Sequence, residues 1–337
     1  MKLPSEQGDT AQISVVIPTY KRMKDLDRCL DSIIVQTTLP KEVWVVDNGT
    51  NKETRELVER RKKEFKERGI SLDYVKNEIE NSLTLAKNIG VRRSTGDIVS
   101  FLDDDLVLDK NYYHEIMKVY GEKPNALGIM GYNYSVRMGE GVMGKLLDTY
   151  IRLFQISSFL EKDGCRLLPS FCVTSPRPDP NRIISCEWLS GCSTYKKTVL
   201  EKIESDENLT KYSWGEDTDL SYRIFKKYPG SLFLTSRAKY WHQGSVAGRR
   251  SPKELAYMAE VYDLYLFHKN IDQKLRNKLI WLRSRIGRLV LKLVFILIRS
   301  ESKLAEIKDV VEAPFYCIKH FKEIKKGDLR FFNETLT

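Results

Sequence analysis

The sequence lacks three features that define whole classes of protein. No apolar stretch reaches the roughly 18 uninterrupted residues that a membrane-spanning helix needs, so we expect no transmembrane segment. The start of the chain, residues 1–12, is polar and has no apolar core, which predicts a tail and no signal peptide. The six cysteines form no Cys-x-x-Cys pair, and no histidine lies between Cys165 and Cys192. We therefore expect reduced, mostly buried thiols in a cytosolic protein, not a disulfide framework or a zinc cluster.

The rest of the composition is that of an ordinary globular protein. With 337 residues, 42% of them hydrophobic and 30% charged, the chain can form one large domain or one domain with an appendage. Its net charge of +10 is unevenly placed, because segment 273–300 contains eight Lys or Arg and no Asp or Glu. That asymmetry predicts an anionic surface as a partner.

The stretch 95–106 carries the strongest chemical signal. An apolar run begins after Gly96 and ends at Asp103, Asp104 and Asp105, as in a buried strand that stops at a polar edge. Ligands of open α/β sheets bind outside the carboxyl ends of the strands, and three adjacent carboxylates repel unless a cation or solvent separates them. The pattern predicts a site for a hard divalent cation, Mg²⁺ or Mn²⁺. A solvated acidic turn before the next helix is the alternative.

Strand-like and helix-like segments alternate before this stretch. In chain order they are strand 13–20, helix 26–36, strand 42–49, helix 52–68, strand 71–75 and helix 82–93. Three strand-helix units followed by a fourth strand predict a doubly wound, mostly parallel α/β sheet. Asp47 ends the second strand, where an acid commonly binds the ribose or base of a nucleotide. Its alternative role is the first residue of an Asp-Asn-Gly turn.

Five short motifs follow one another over about 90 residues. They are Val16-Ile17-Pro18-Thr19-Tyr20, Val45-Val46-Asp47-Asn48-Gly49, Ala86-Lys87-Asn88-Ile89-Gly90, Gly96-Asp97 and Phe101-Leu102-Asp103-Asp104-Asp105. Their order and spacing resemble the nucleotide-sugar half of family 2 glycosyltransferases, which adopt the GT-A fold. The resemblance assigns the donor nucleotide and sugar to Pro18, Thr19, Tyr20, Arg22, Asp47, Lys87, Asp103 and Asp104. It implies that Asp105 binds the metal. Lys87 stands where the family usually has arginine. Lysine keeps the positive charge but lacks the planar guanidinium group.

A second group of motifs resembles the acceptor half of the same enzymes. Trp188-Leu189-Ser190-Gly191 is followed by Gly215-Glu216-Asp217-Thr218-Asp219-Leu220. Paired acids at the start of a predicted helix lie at the positive end of its dipole, which favours the ionised form that a general base needs. Helix capping is the alternative. The resemblance implies that Asp217 is the catalytic base and that Trp188, Ser190, Gly191 and Glu216 bind the acceptor.

Two further segments complete the site that the resemblance implies. His242 falls where many members of the family complete the metal shell, although a lone histidine in an aromatic setting is otherwise more often structural. The loop 245–250, with Arg249 and Arg250, is suited to close over a diphosphate. The proline-rich segment 161–182 has little periodicity and is predicted to be a loop that determines acceptor specificity.

The basic segment 273–300 has helical periodicity. On a helix, six of its bases form one stripe and aliphatic residues fill most of the remainder; the six are Lys274, Lys278, Arg285, Arg288, Lys292 and Arg299. This pattern predicts a helix in a membrane interface, with its bases toward anionic headgroups. Core packing against the catalytic domain is the alternative.

These observations predict an α/β protein with the GT-A fold, a Rossmann-like doubly wound mixed sheet and a C-terminal helical extension. The expected divisions are a tail at 1–12, a GT-A domain at 13–252 and a membrane-associating extension at 253–337. Residues 13–110 form the nucleotide-sugar half of the domain, and residues 111–252 form the acceptor half.

The resemblance implies an inverting, Mn²⁺- or Mg²⁺-dependent transfer of a sugar from a nucleoside-diphosphate-sugar to a hydroxyl of a saccharide or lipid-linked acceptor. We expect a cytoplasmic location on the inner face of the cell membrane. We expect no nucleic acid partner, because the bases of segment 273–300 alternate with aliphatic and not with stacking aromatic residues. The alternatives are an idle GT-A-like binding protein and a polyprenyl-phosphate sugar synthase, whose anionic acceptor needs no base.

Overall fold

The computed structural model describes residues 11–49, 52–79, 82–135, 141–161, 164–176, 182–245, 251–299 and 303–335. The strands are β1 Ile13–Thr19, β2 Glu42–Asp47, β3 Ser71–Lys76, β4 Ile98–Phe101, β5 Leu106–Leu108, β6 Gly128–Asn133, β7 Ser158–Glu161, β8 Thr174–Pro176, β9 Ile183–Cys186, β10 Ser193–Lys196 and β11 Leu232–His242. The helices are α1 Met23–Ile34, α2 Glu53–Glu67, α3 Leu83–Arg93, α4 Tyr112–Glu122, α5 Gly141–Phe154, α6 Lys197–Leu200, α7 Glu216–Lys227, α8 Pro252–Asn270, α9 Leu275–Arg299, α10 Lys303–Lys319, α11 Phe321–Lys326 and α12 Arg330–Thr335.

A mixed sheet forms the centre of the fold. Its strands follow the order β3-β2-β1-β4-β10-β6-β11-β5, and β9 also pairs with β11. The strands β3, β2, β1 and β4 run parallel to one another, whereas β10 is antiparallel to both β4 and β6. The predicted α/β architecture with a doubly wound mixed sheet is confirmed.

The central strand β1 is buried along its whole length, as its continuous apolar run predicts. Val15 and Ile17 pack in the hydrophobic cluster on one face of the sheet, and Val16 packs in the cluster on the other. Helix α3 lies against Val16 at Gly90, where an added Cβ would lie 2.2 Å from Val16 Cγ1. The absence of a side chain at Gly90 therefore allows the close packing.

The three aspartates lie where the chain leaves β4 and enters β5. Strand β5 pairs antiparallel with β11, and its register places Leu106 opposite His242. Asp105 immediately precedes Leu106, so this register brings it beside a residue that is far away in sequence. The predicted loop 161–182 begins at the end of β7 and contains β8, which pairs with β7; residues 162–163 and 177–181 are outside the described residues.

Helix α8 is buried on most sides and joins the C-terminal helices to α7. Asn270 Nδ2 donates to Asp219 Oδ1 at 2.7 Å, and Lys269 Nζ donates to Asp219 Oδ2 at 2.9 Å. Tyr262 and Phe332 form an edge-to-face ring pair with centroids 5.6 Å apart. These contacts attach α8 to α7 on one side and to α12 on the other.

The orientation predicted for the basic stripe of α9 is wrong in its central part. Arg285 Nη1 and Arg288 Nη1 each lie 2.6 Å from Asp263 Oδ2 of α8. Lys292 Nζ lies 3.3 Å from Glu260 Oε1. Buried carboxylates need cationic partners, so these three bases point toward the protein.

As a result, α9 presents an apolar stripe to solvent. Its exposed members, between 44% and 72% exposed, are Leu275, Leu279, Leu282, Ile286, Val290, Val294, Leu297 and Ile298. Among the described residues, no helix is both long and apolar enough to cross a bilayer.

Candidate active site

A cavity of about 620 Å³ opens at the carboxyl ends of β1 and β4. Its wall combines residues from both predicted halves of the domain. Of the residues that the sequence assigned to the site, those on this wall are Pro18, Thr19, Tyr20, Arg22, Asp103, Asp104, Asp105, Trp188, Ser190, Gly191, Glu216, Asp217 and His242. The wall thus brings the three aspartates and the Glu-Asp pair of α7 together, although more than 100 residues separate them in the chain.

Two of the assigned residues are not on this wall. Asp47 is fully buried; its Oδ1 accepts from the Gly49 N–H at 2.8 Å and its Oδ2 from the Tyr74 hydroxyl at 3.1 Å. The Gly49 contact is that of an Asp-Asn-Gly turn, and the neighbouring Asn48 lines the cavity instead. Lys87 is 2% exposed and contacts Glu216 behind the wall.

Asp104 is held by two groups that follow β1. Thr19 Oγ1 donates to Asp104 Oδ2 at 2.7 Å, and Arg22 Nη1 donates to Oδ1 at 3.1 Å. Burial raises the pKa of Asp104 to about 7, against the opposing effect of Arg22 and Thr19. These contacts fix the backbone between Asp103 and Asp105, so that the flanking carboxylates can face the cavity.

Asp105 and His242 form the pair that fits a divalent cation. His242 Nε2 lies 2.9 Å from Asp105 Oδ1. This oxygen is buried and receives no well-directed hydrogen bond, whereas Oδ2 accepts from the Ser245 N–H at 3.0 Å. A carboxylate oxygen beside an imidazole nitrogen is a donor set that Mn²⁺ accepts, with substrate phosphates as further ligands. No cluster of three or more His, Cys, Asp or Glu side chains suited to a metal occurs within the described ranges.

The pair Glu216 and Asp217 begins α7, after Gly215 with φ +81°. Lys87 Nζ lies 2.5 Å from Glu216 Oε1, and this contact joins α3 of the donor half to α7. Burial raises the pKa of Glu216 to about 7 although Lys87 opposes the shift, and burial also raises the pKa of Asp217. Asp217 Oδ1 accepts from the Thr218 N–H at 2.7 Å, which leaves Oδ2 of this carboxylate for a ligand.

Gly191 and Trp188 shape the opposite wall. A Cβ added at Gly191 would lie 3.1 Å from Asp103 Oδ2, so the glycine leaves room for this carboxylate. Trp188 is 6% exposed, and its Nε1 donates to the Thr174 carbonyl at 2.9 Å. The indole is therefore fixed as an apolar part of the cavity wall.

Several residues on the wall were not predicted from the sequence. Tyr212 and Trp214 come from the turn before α7, and Asp263 and Arg288 come from the C-terminal helices. Trp214 directly precedes the Gly-Glu-Asp motif, so its position was a usable signal. Nothing local distinguishes Arg288 from the other bases of α9. The predicted loop residues Arg249 and Arg250 are outside the described residues.

A family model matches the predicted nucleotide-sugar half and part of the predicted acceptor half. Residues 14–169 match the model of glycosyl transferase family 2. Validoxylamine A glucosyltransferase of Streptomyces hygroscopicus subsp. limoneus is 28% identical over 288 residues, which are 82% of this chain and 58% of the relative. Glycosyltransferase GlyA of Streptococcus pneumoniae is 31% identical over 131 residues, 39% of this chain and 18% of the relative. The chain thus spans less than two thirds of the length of these relatives.

Two solved structures illustrate the architecture that this chain shares with known proteins. Residues 1–349 of S. aureus TarS superpose with a TM-score of 0.52 and 18% identity, covering 94% of this chain and 88% of that one. The mannosyltransferase PcManGT of Pyrobaculum calidifontis, solved with GDP-Man and Mn²⁺, gives a TM-score of 0.56 and 14% identity, covering 97% and 89%. The fold is therefore GT-A. The match of residues 14–169 to the glycosyl transferase family 2 model agrees with this fold.

Proposed function

We propose that the protein is an inverting glycosyltransferase that moves a sugar from a nucleoside-diphosphate-sugar to an acceptor hydroxyl. The observation that carries this proposal is the single cavity that Asp103, Asp105 and Asp217 share. Two neighbours in fold support the donor class, since one was solved with GDP-Man and Mn²⁺ and TarS was solved with UDP.

In the proposed reaction, Asp217 accepts the proton of the acceptor hydroxyl as the hydroxyl oxygen attacks the anomeric carbon. The bond from that carbon to the diphosphate breaks on the opposite side, so one displacement inverts the configuration. A divalent cation held by Asp105 and His242 would neutralise the charge that grows on the departing diphosphate. Arg22 lies 3.6 Å from Asp105 Oδ2 and adds a permanent positive charge on the donor side.

The two alternative functions fit this cavity less well. A polyprenyl-phosphate sugar synthase transfers to an anion and has no use for a base, whereas Asp217 has one carboxylate oxygen without a partner among the described residues and lines the cavity. An idle binding protein has no need for a partly buried carboxylate with a raised pKa at that place, because desolvation of an ionisable group is costly.

Nucleotide binding tests the donor site. We expect one of UDP, GDP, ADP, CDP or dTDP to bind more tightly with Mn²⁺ than without it, as measured by calorimetry. Asp105→Asn removes a charged metal ligand and is expected to weaken the Mn²⁺-dependent binding at least about 10-fold. Asp148→Asn, at a surface ion pair with Arg152 on α5, is the control and should bind as the wild type does. If no nucleotide binds under either condition, the idle alternative replaces the proposal.

We also propose that the exposed stripe of α9 binds an anionic membrane surface, the inner face of the cell membrane, where a membrane-linked acceptor would be found. The stripe is continuous along the helix, and the exposed bases Arg276 and Lys278 flank its first turns. An interfacial helix combines such an apolar face with flanking bases.

Vesicle binding tests this surface. The double variant Leu282→Glu/Ile286→Glu places charges at two positions that are each 51% exposed. We expect it to lose most of its sedimentation with vesicles that contain phosphatidylglycerol, since an interfacial helix binds through buried apolar area. Val35→Glu, at a 58% exposed position after α1, should leave binding unchanged. Two results would assign the stripe to another partner. In the first, both variants bind the vesicles equally. In the second, the wild type is a dimer without lipid and the double variant is not.

A further inference from the structure

The cavity extends past Asp217 to helices α8 and α9. Arg288 and Asp263 are on its wall, together with Phe171 and Cys172 of the segment before β8. This end of the cavity has no assigned role in sugar transfer. Its positive charge comes from Arg288 of α9, a helix outside the residues that match the family model.

The charges at this end do not balance. Asp263 Oδ2 is shared by Arg285 and Arg288, each with an Nη1 at 2.6 Å. Glu260 pairs with Lys292 and also lies 3.6 Å from Arg285. In this cluster three bases therefore face two carboxylates, and of its members only Asp263 and Arg288 are on the cavity wall.

Arg285 also has hydrogen-bond donors without a partner. Its side chain is 9% exposed, and its Nε and Nη2 are buried and bond to no atom within the described residues. Arg285 and Arg288 are three residues apart on α9 and so share one face of this helix. Arg285 is not itself on the cavity wall, so it acts on an anion bound at Arg288 through its charge and not through a direct contact.

The thiol of Cys172 indicates that the positive potential reaches the cavity. Burial by itself raises the pKa of this thiol, but the charges of Arg288 and Arg285 outweigh that effect and lower it. Cys172 is 2% exposed, and its Sγ lies 3.6 Å from Ser284 Oγ on α9. It therefore lies beside the two arginines at the end of the cavity.

This end lies on the acceptor side. Leu266 of α8 packs on Gly215, where an added Cβ would lie 3.0 Å from Leu266 Cδ1. Gly215 directly precedes the Glu216 and Asp217 pair. Asp263 is three residues before Leu266, so about one helical turn of α8 separates the arginine pair from the start of α7.

We propose that Arg288, positioned by Asp263 and supported by the charge of Arg285, binds an oxyanion of the acceptor. The acceptor would then be an anionic saccharide, which bears a phosphate or a carboxylate near the hydroxyl that is glycosylated. That the bound anion belongs to an acceptor rests on the proposed function, but the anion site itself can be tested without sugar transfer.

Alkylation of Cys172 measures the site directly. The Cys172 thiolate attacks the CH2 carbon of either iodoacetate or iodoacetamide and displaces iodide, but only iodoacetate carries a carboxylate. The ratio of their rates at Cys172, followed by mass spectrometry, is therefore independent of the thiol pKa. We expect Arg288→Gln to lower this ratio by ~10-fold, the scale of one charge-assisted hydrogen bond. Arg283→Gln, at an exposed position of the same helix, should leave the ratio unchanged.

Competition by small anions distinguishes an acceptor that bears a phosphate from one that bears a carboxylate. Inorganic phosphate should slow alkylation of wild-type Cys172 more than acetate does if the acceptor carries a phosphate, and less if it carries a carboxylate. Arg288→Gln keeps Asp263 paired with Arg285, so the variant should fold, and Arg288→Lys should retain part of the preference.

Three results would overturn the proposal. The first is an unchanged rate ratio in Arg288→Gln, and the second is a cavity in which neither reagent reaches Cys172. The third is a loss of nucleoside diphosphate binding in Arg288→Gln as large as that in Asp105→Asn, which would assign the arginine to the donor. If the wild type binds no nucleotide yet shows the expected rate ratio, the sugar-transfer proposal fails and the anion site stands.

Discussion

Asp217→Asn is expected to lower kcat by about 10²- to 10⁴-fold, the usual contribution of a general base. Asparagine keeps the shape of the side chain and its contact with the Thr218 N–H, but it cannot accept the proton of the acceptor hydroxyl. Mn²⁺-dependent binding of the nucleoside diphosphate should stay near the wild-type value, because Asp217 is on the acceptor side. Single-turnover sugar transfer and calorimetry measure the two quantities separately.

The pH profile gives this prediction a second readout. Because burial raises the pKa of Asp217, the acid limb of kcat/KM should lie above the ordinary range of an aspartate. Activity is present above this pKa and is lost as the pH falls through it. An Asp217→Asn variant with wild-type kcat, or with an unchanged acid limb, would assign the base to another residue.

Lys87→Met is expected to destabilise the protein by about 3–5 kcal/mol near pH 8, because it leaves Glu216 buried without its cationic partner. Lys87 is 2% exposed, so water cannot replace the lost contact. Chemical denaturation measures the change. In the double variant Lys87→Met/Glu216→Gln no charge remains in the pair, and most of the stability should return, as for buried ion pairs replaced by neutral groups.

The loss of stability should depend on pH with a defined sign. The pKa of Glu216 is already raised to about 7 by burial, and removal of Lys87 raises it further. A carboxyl with a raised folded-state pKa contributes stability at a pH below its unfolded pKa, and this stability is lost as the pH rises. Lys87→Met should therefore cost less at pH 5 than at pH 8. An equal cost at both values would mean that the loss comes from packing and not from the buried charge.

The same variant is expected to affect catalysis through Asp217. The charge of Lys87 lowers the pKa of Asp217 and so partly offsets burial. Without it, the acid limb of kcat/KM should move to higher pH. We therefore propose that Lys87 is a positioning residue that keeps Asp217 ionised, whereas the family resemblance implies a nucleotide contact.

The sequence alone predicted the elements that depend on local patterns. The buried runs of β1, β2 and β4 are continuous and apolar, so their burial follows from composition. Asp103 to Asp105 had to follow β4, and Gly215 had to precede α7, because both are features of a single segment. The order of the motifs was enough to predict the fold as well.

The pairings across the site could not be read from the sequence. Lys87 meets Glu216 across 129 positions of the chain, and Asp105 meets His242 only because β5 pairs with β11 in one register. When its own segment is considered alone, each of these four residues could equally be exposed to solvent. The contact exists because the sheet order brings the two segments together.

The orientation of helix α9 also could not be predicted from the sequence. Its periodicity correctly separates an apolar stripe from a basic one, which the sequence by itself determines. The tertiary structure decides which stripe faces inward. Asp263 of α8 is buried and Glu260 is partly buried, and their desolvation must be offset by Arg285, Arg288 and Lys292. A pattern within one helix carries no information about charges on its neighbour, and those charges set the face that α9 leaves in contact with solvent.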